Sequence, residues 1–438
     1  MSPFLAGICG IIFFLILLVL KMPIAVGMAI VGFTGFSYVV SLGAAYRILS
    51  SDFYTTFSSY SLSVIPMFVL MGFFAFHAGI GTKLYSFAYK VFGHFAGGLA
   101  MASEVACAIF GAVCGSSTAT TATIGSIAVP EMQKYNYSNS LATASVAAGG
   151  ALGILIPPSV IFVIYGVATE QSIARLFLAG VLPGILLTLL YMAAIWVITR
   201  RNPALGPAAS GPRPGPREIF VALRGGLLEV LIVFAISIGG LFAGWFTPTE
   251  AGGVGAAGVL LVSLVEGSMN WERFNRALMD TTRTVAMILF LVAGAIIFGR
   301  FMAVSRIPFE LAGWVSSLSL PPFIILGIIL LVYLFFGTFI EMIPLILLTI
   351  PIFYPVVVNT LGYDPIWFGV IIVLVVAMGV ITPPVGINVY VIKGVARDVP
   401  LEVIFRGIWP FLIAAIVCCV LLIAFPQIAT FLPNLVMR

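Results

Sequence analysis

Two short polar stretches set in oily surroundings hold most of the chemistry this sequence can do. The first, Gly111-Ala-Val-Cys-Gly-Ser-Ser-Thr-Ala-Thr120, offers the hydroxyls of Ser116, Ser117 and Thr118 and the carbonyls freed around Gly115. Such hard oxygens suit a cation such as sodium, and helix starts beside them suit an anion. A helix–helix contact glued by small side chains and hydroxyls would use the same residues. The second stretch, Gly337-Thr-Phe-Ile-Glu341, places a carboxylate at a turn. An ionised acid at a helix centre inside a bilayer costs about 2.5 to 3.5 kcal/mol on insertion scales. Glu341 therefore needs a bound cation, a proton, or the positive end of the helix that follows it.

Two more stretches complete these candidate sites. Gly149-Gly-Ala-Leu-Gly-Ile-Leu-Ile-Pro-Pro158 and Gly379-Val-Ile-Thr-Pro-Pro-Val-Gly386 each set glycines and paired prolines inside a long apolar run. An interior Pro costs a helix about 3 kcal/mol relative to Ala, and Gly about 1, so both helices are expected to break and free carbonyls. The first expected sodium site joins Gly115, Ser116, Ser117 and Thr118 to Gly150 and Gly153. The second joins Gly337, Thr338 and Glu341 to Gly379, Thr382 and Gly386. Substrate-contact candidates are Ser116, Ser117, Pro157, Pro158, Pro383, Pro384 and Asn388, whose amide equally suits a helix–helix hydrogen bond. Sodium is the only metal expected, as a coupling ion, with no transition metal, no cofactor and no catalytic residue.

The remaining polar residues read as structural. An intramembrane serine hydrolase built on Ser116 or Ser117 would need a base. His77 is expected near the outer end of a span and His94 on a surface segment, neither with metal-ligand company. Thr249 reads as a helix N-cap with Glu250 in the first turn. Glu104 and Glu229 read as acids near cytoplasmic helix ends that snorkel or pair with basic loops. Cys9, Cys107, Cys114, Cys418 and Cys419 lack metal or disulfide spacing and read as small buried hydrophobes.

The elements that must position these groups follow from composition. With 62% hydrophobic and only 8% charged side chains, and a mean hydropathy of +1.21, the 438 residues read as an all-α polytopic membrane protein rather than a soluble domain. A net charge of +5 does not imply nucleic acid, because in such a chain the placement of basic residues matters more than their sum. The N-terminus lacks the basic start and cleavage site of a signal peptide, so residues 4–20 read as a retained first span.

Further spans are expected at residues 23–43, 64–76, 173–198, 227–245, 250–264, 285–304 and to about 425. Broken spans are expected at about 141–167 and 366–391. Residues 47–63, 82–94 and 271–280 read as surface segments. The arms flanking the two polar turns, about 96–132 and 323–358, fall short of the roughly 20 apolar residues needed to cross a bilayer. They read as re-entrant hairpins. Polar turns at membrane depth survive only when buried in protein or lining a wet cavity.

The pattern repeats. Pro157-Pro158 aligns with Pro383-Pro384 at an offset of 226 (383 − 157), as does Gly153 with Gly379; the turn glycines Gly115 and Gly337 differ by 222 (337 − 115). Residues 1–200 and 219–438 therefore read as two repeats joined by a Pro/Gly-rich cytoplasmic linker, 201–218. Five true spans per repeat, one of them broken, would invert the second relative to the first. With the N- and C-termini outside, all Lys and Arg except Arg47, Arg175, Arg300, Arg306 and Arg438 fall on the cytoplasmic side, as the positive-inside rule asks. Two hairpins then meet near the midplane from opposite leaflets.

Taken together, the Gly-Ser-Ser-Thr-Ala-Thr tip, Gly149 to Ser159, Leu176 to Gly184, Phe246 to Ala251 and Thr382 to Gly386 resemble the large membrane subunit of tripartite ATP-independent periplasmic (TRAP) transporters. The likeness covers essentially the whole chain. It implies an elevator-type, sodium-driven importer of an organic acid such as a C4-dicarboxylate or sialic acid, in a bacterial inner membrane. It also implies two partners: a separate small four-helix membrane subunit and a soluble periplasmic substrate-binding protein. The chain departs from the family pattern at Ala151, where Thr is expected, at Val375, where Asn is expected, and at Glu341, where Asp is usual. A stand-alone sodium–anion symporter of related hairpin architecture is the alternative.

Overall fold

The computed structural model describes residues 1–208, 215–224, 227–318 and 320–437. Pro212, Arg213 and Pro214 of the expected linker, and Arg438, lie outside them. The described residues form helices joined by short turns, as they must where hydrocarbon offers a backbone no hydrogen-bond partners. Among the described residues, six helices are long and apolar enough to cross a membrane, or up to eight if each bent pair is one span.

The chain opens with α1 (Pro3–Val19) and α2 (Ile24–Val39), then α3 (Leu42–Phe57), whose buried side includes Ala45, Asp52 and Thr56. Next come α4 (Val64–His77) and α5 (Ile80–Phe92). The first polar turn lies between α6 (Gly98–Cys114) and α7 (Ser117–Lys134), and the first break between α8 (Asn139–Leu155) and α9 (Val160–Ala168), which are bent by 41°. Helix α10 (Ile173–Arg201) follows. Serines cap many of these starts: Ser41, Ser116, Ser138 and Ser172 each accept a hydrogen bond from an amide three residues on, satisfying donors that the first helical turn leaves open.

The linker is not free along its whole length. Its head is a 3-10 turn (Pro203–Leu205) whose neighbours dock: the amides of Ser138 and Gly97 donate to the carbonyls of Leu205 and Gly206. Beyond it lie α11 (Pro216–Arg224), α12 (Leu227–Phe242) and α13 (Pro248–Val265). The cap of α13 is Thr247 rather than the expected Thr249. Pro248 fills the first helical position, where its missing N–H costs nothing, and Thr247 and Glu250 form a reciprocal capping box.

The expected surface segment 271–280 and the span after it are one continuous helix, α14 (Trp271–Val304), capped by Asn270. No Gly or Pro falls between Trp271 and Ala293 to interrupt it. After α15 (Ile307–Ser317), the second polar turn lies between α16 (Pro322–Gly337) and α17 (Met342–Tyr354), which continues as a π-helical turn through Thr360. With that turn the second arm spans Met342–Thr360 and passes the length test for crossing a membrane, so it is longer than expected. The second break separates α18 (Pro365–Gly379) from α19 (Ile387–Val395), and α20 (Leu401–Ala424) and α21 (Gln427–Val436) close the chain. Helix α21 was not anticipated.

Glycine pairs set how closely hairpins and broken helices pack. A Cβ on Gly111 would lie 2.4 Å from the Cα of Gly153, and one on Gly379 would lie 2.7 Å from the carbonyl carbon of Gly337. Both pairs join the first arm of a hairpin to the last turns before a break. Their members are separated by the same offset, 226 (337 − 111 and 379 − 153). In these contacts Gly337 packs on its broken helix as Gly111 does, four residues before the Gly115 with which the sequence offsets pair it. Both Pro157-Pro158 and Pro383-Pro384 are cis.

Candidate functional site

The tip of the first hairpin is built by Gly115, which ends α6 in the left-handed region at φ +64° and donates its amide to Gly111. Ser116 then caps α7, accepting from the amide of Ala119 at 3.4 Å. The tip is inside the protein: a Cβ on Gly72, within α4, would meet the carbonyl oxygen of Cys114 at 2.8 Å. It opens on a cavity of about 450 Å³ whose lining includes Gly115, Ser116, Ser117 and Thr118. Across from them stand Thr284, Met287 and Ile288 of α14. The second tip contributes Glu341, Met342 and Ile343. The volume falls in the range of small-ligand pockets, and the walls are mostly apolar, with hydroxyls and one carboxylate as the polar groups.

Glu341 occupies the N-cap position of α17, yet its side chain makes no cap hydrogen bond. Glu341 lines the cavity, and its side chain does not close the helix start. Thr338 and Thr382 are committed locally, each donating its hydroxyl to a carbonyl of the preceding turn, Phe335 and Met378. Gly337 and Gly379 serve the close contact described above, and Gly386 starts α19 at φ +59°. Of the second expected set, only Glu341 lines the cavity, and neither proline pair does.

Ser117 and Asn388 are bound to each other. The Ser117 hydroxyl donates to the Asn388 side-chain oxygen at 3.0 Å, and the Asn388 amide nitrogen donates to Ser117 Oγ and to the carbonyl of Ala147, both at 2.9 Å. Both residues are buried. Of the two expected readings of Asn388, the structure has the interhelical one: it ties the start of α7 to α8 and α19.

The oxygens nearest the first break include residues that sequence reasoning passed over. A Cβ on Gly150 would press against Thr121 Oγ1 and lie 3.2 Å from the Ser117 carbonyl; one on Gly153 would lie 2.9 Å from Thr120 Oγ1 and 3.1 Å from the Ser116 carbonyl. Thr121 donates to the Ser117 carbonyl at 2.8 Å. Thr120 Oγ1 is buried with no hydrogen-bond partner among the described residues, and so is Ser159 Oγ at the start of α9. Hydroxyls at this depth normally find a partner, so these two free oxygens stand out beside the first break. The signal for Thr120 and Thr121 in the sequence was the Thr118-Ala-Thr-Thr121 run that follows the tip serines.

Two peripheral expectations change. Glu104 does not snorkel: it is fully buried beside Cys107 and Gly149, with neither carboxylate oxygen hydrogen-bonded. His77 Nε2 lies 2.9 Å from Asp280 Oδ2 on α14. Cys9 is exposed rather than buried.

Comparison with known proteins agrees with this architecture. The family model described as "Tripartite ATP-independent periplasmic transporter, DctM component" matches residues 11–428. The chain is 37% identical over 391 residues to the C4-dicarboxylate TRAP transporter large permease protein DctM of Pseudomonas aeruginosa, covering 89% of this chain and 90% of that one. It is 34% identical to the sialic acid TRAP transporter large permease protein SiaM of Vibrio cholerae, over 86% and 87% of the two chains. Among solved structures, the YdaH transporter of Alcanivorax borkumensis superposes with a TM-score of 0.60 at 14% identity, over 89% of this chain and 90% of that one, which speaks to fold alone. The chain belongs to the DctM family of TRAP transporter large permease subunits, and it is a transporter rather than an enzyme.

Proposed function

We propose that this permease imports an organic acid by sodium-coupled elevator transport, the acid being a C4-dicarboxylate, sialic acid or a similar carboxylate. TRAP permeases sit in the bacterial inner membrane and work with a periplasmic binding protein and a small membrane subunit. Here both partners are taken to be separate chains, with both termini of the permease on the periplasmic side. The observation that carries the reading is the cavity itself. Both tips reach it, hydroxyls and Glu341 line it, and Thr120, with its unpartnered Oγ1, follows the tip serines.

In this reading sodium orders the first tip through the carbonyls of Ser116 and Ser117 and the hydroxyl of Thr120. Glu341 attracts a second cation at the other tip. A carboxylate substrate then docks between the hydroxyls and the positive starts of the half-helices. Because the ion favours the state that binds substrate, its gradient drives uptake. The matched glycine contacts at the constant offset of 226 support two inverted repeats that move together as a core.

The test is uptake into proteoliposomes holding the permease, its small subunit and its binding protein. The acid is chosen by a thermal-shift screen of the binding protein. Accumulation that follows an imposed sodium gradient is expected; accumulation that follows a proton gradient and ignores sodium would overturn the choice of ion. A binding protein that recognises no organic acid would overturn the substrate class.

A further inference from the structure

A second recess lies farther along α14 from the tip cavity. One part, about 330 Å³, is lined by Gly299 and Arg300 of α14, Pro351 and Tyr354 of α17 and Ala168 of α9. An adjoining part, about 420 Å³, shares Gly299, Ala303, Pro351 and Pro355 with it and adds Arg306 and Phe309. The two form one groove between α14 and the second hairpin. Its α14 wall is smooth, with Ala295, Gly299 and Ala303 at successive turns.

The groove is positively charged. Arg300 reaches Asp52 of α3 through two hydrogen bonds of 3.2 and 3.3 Å, but the carboxylate is buried while the arginine side chain keeps 58% of its surface exposed. Arg306 stacks on the ring of Phe309 at 4.9 Å and makes no ion pair among the described residues. Among the described residues, no carboxylate lines either part of the groove. By contrast, the tip cavity has no basic side chain among the described residues that line it, and it carries Glu341. A guanidinium in a concave site recognises carboxylates and sulfonates through paired N–H donors.

The positions along α14 give the groove a place in transport. The tip cavity faces Thr284, Met287 and Ile288, and the groove faces Gly299 and Arg300. Eleven residues of helix, Ile288 to Gly299, span roughly 16 Å. A core that slides by about that distance along α14 exchanges an uncharged wall for one bearing Arg300. We propose that this groove is a loading subsite for an organic anion, with Arg300 as the fixed charge that meets the substrate's carboxylate when the tips face the opposite side of the membrane. The proposal rests on the elevator reading above. It makes loading electrostatically asymmetric, since the anion is attracted on the Arg300 side and released against a neutral wall.

The experiment reads the groove directly and does not depend on knowing the substrate or coupling ion. Gly299→Cys in the full chain with its small subunit places a thiol in the groove, where a Cβ has only ordinary contact with Pro351 at 3.5 Å. Its rates of labelling by an anionic sulfonatoethyl and a cationic trimethylammonium-ethyl methanethiosulfonate are compared in phosphatidylcholine vesicles. The chain without the added cysteine provides the background. Arg300→Gln should lower the anion-to-cation rate ratio about 3- to 10-fold, and Asp52→Asn, which frees the guanidinium, should raise it. The double variant Arg300→Gln/Asp52→Asn leaves no unpaired buried carboxylate and should still fall below the parent.

Succinate should slow the anionic reagent, and phosphatidylglycerol in the vesicles should not. Ratios that ignore both substitutions overturn the site. Slowing by phosphatidylglycerol but not by succinate assigns the groove to a lipid headgroup and overturns the loading role, as would protection by the binding protein alone with no effect of succinate. Uptake that follows protons instead of sodium would leave these labelling results standing, so failure of the coupling reading and failure of the groove can be told apart.

Discussion

Asn388 and Thr120 show how the same class of polar residue serves opposite ends. Asn388 uses its side-chain amide on Ser117 and Ala147, three hydrogen bonds among buried groups. Asn388→Ala leaves a buried hydroxyl and carbonyl without those partners and should lower stability by about 1–3 kcal/mol. The thermal unfolding midpoint of the purified protein reads this, and an unchanged midpoint would show that the tie between α7, α8 and α19 carries no weight. Thr120 Oγ1 has no protein partner among the described residues, so Thr120→Val removes an oxygen at nearly constant shape. In the absence of sodium its midpoint should match the parent. Added sodium should raise the parent's midpoint and leave that of Thr120→Val nearly unmoved; equal sodium shifts in both would remove Thr120 from the ion site.

At the scale of elements, the close approach of each hairpin to its broken helix is set by backbone, not by side-chain choice. A methyl on Gly379 would press against the carbonyl carbon of Gly337 at 2.7 Å, where no flexible side chain can give way. Gly379→Ala should therefore cost about 1–3 kcal/mol as an overpacked contact. Gly327, in the middle of α16, has nothing within 4 Å of where its methyl would go. Gly327→Ala should be neutral or stabilising by up to about 1 kcal/mol, because Ala loses less backbone entropy than Gly in a helix. Midpoints measured side by side decide this: equal effects at the two positions would mean that the glycine contact does not hold hairpin and helix together. Helix α14 shows a different lesson. At 34 residues it runs about 50 Å, well beyond a hydrocarbon core of about 30 Å, so the Arg273 and Arg276 end has length enough to stand in water.

For the whole molecule, the distribution of basic residues makes a directional statement that the fold alone does not. Arg276 and Arg306 lie at opposite ends of α14 and just beyond it. In cells, Arg306→Cys should react with a membrane-impermeant thiol reagent added outside, and Arg276→Cys only after the membrane is permeabilised. Reversed labelling would invert the proposed orientation, and with it the side on which the Arg300 groove loads substrate. Labelling of both positions from one side would contradict α14 as a span.

Much was legible from the sequence alone. Hydropathy and the scarcity of charge determined a helical membrane protein, because a backbone in hydrocarbon has to satisfy its own hydrogen bonds. The Gly-Ser-Ser-Thr turn and the proline pairs marked where helices end, since Pro removes a donor and Gly frees the chain wherever they occur. What each polar side chain does was decided only by tertiary structure. Whether Asn388 binds a ligand or another helix, whether Glu341 caps α17 or lines the cavity, and which of Ser117 and Thr120 keeps a free oxygen all depend on neighbours more than a hundred residues away or on the packing of a single turn. That Gly337 packs against Gly379 likewise emerged from contact rather than alignment. Local sequence specifies which groups can bond; the meeting of distant segments settles which of them are left over, and the leftover oxygens and charges are what a transporter has to offer its cargo.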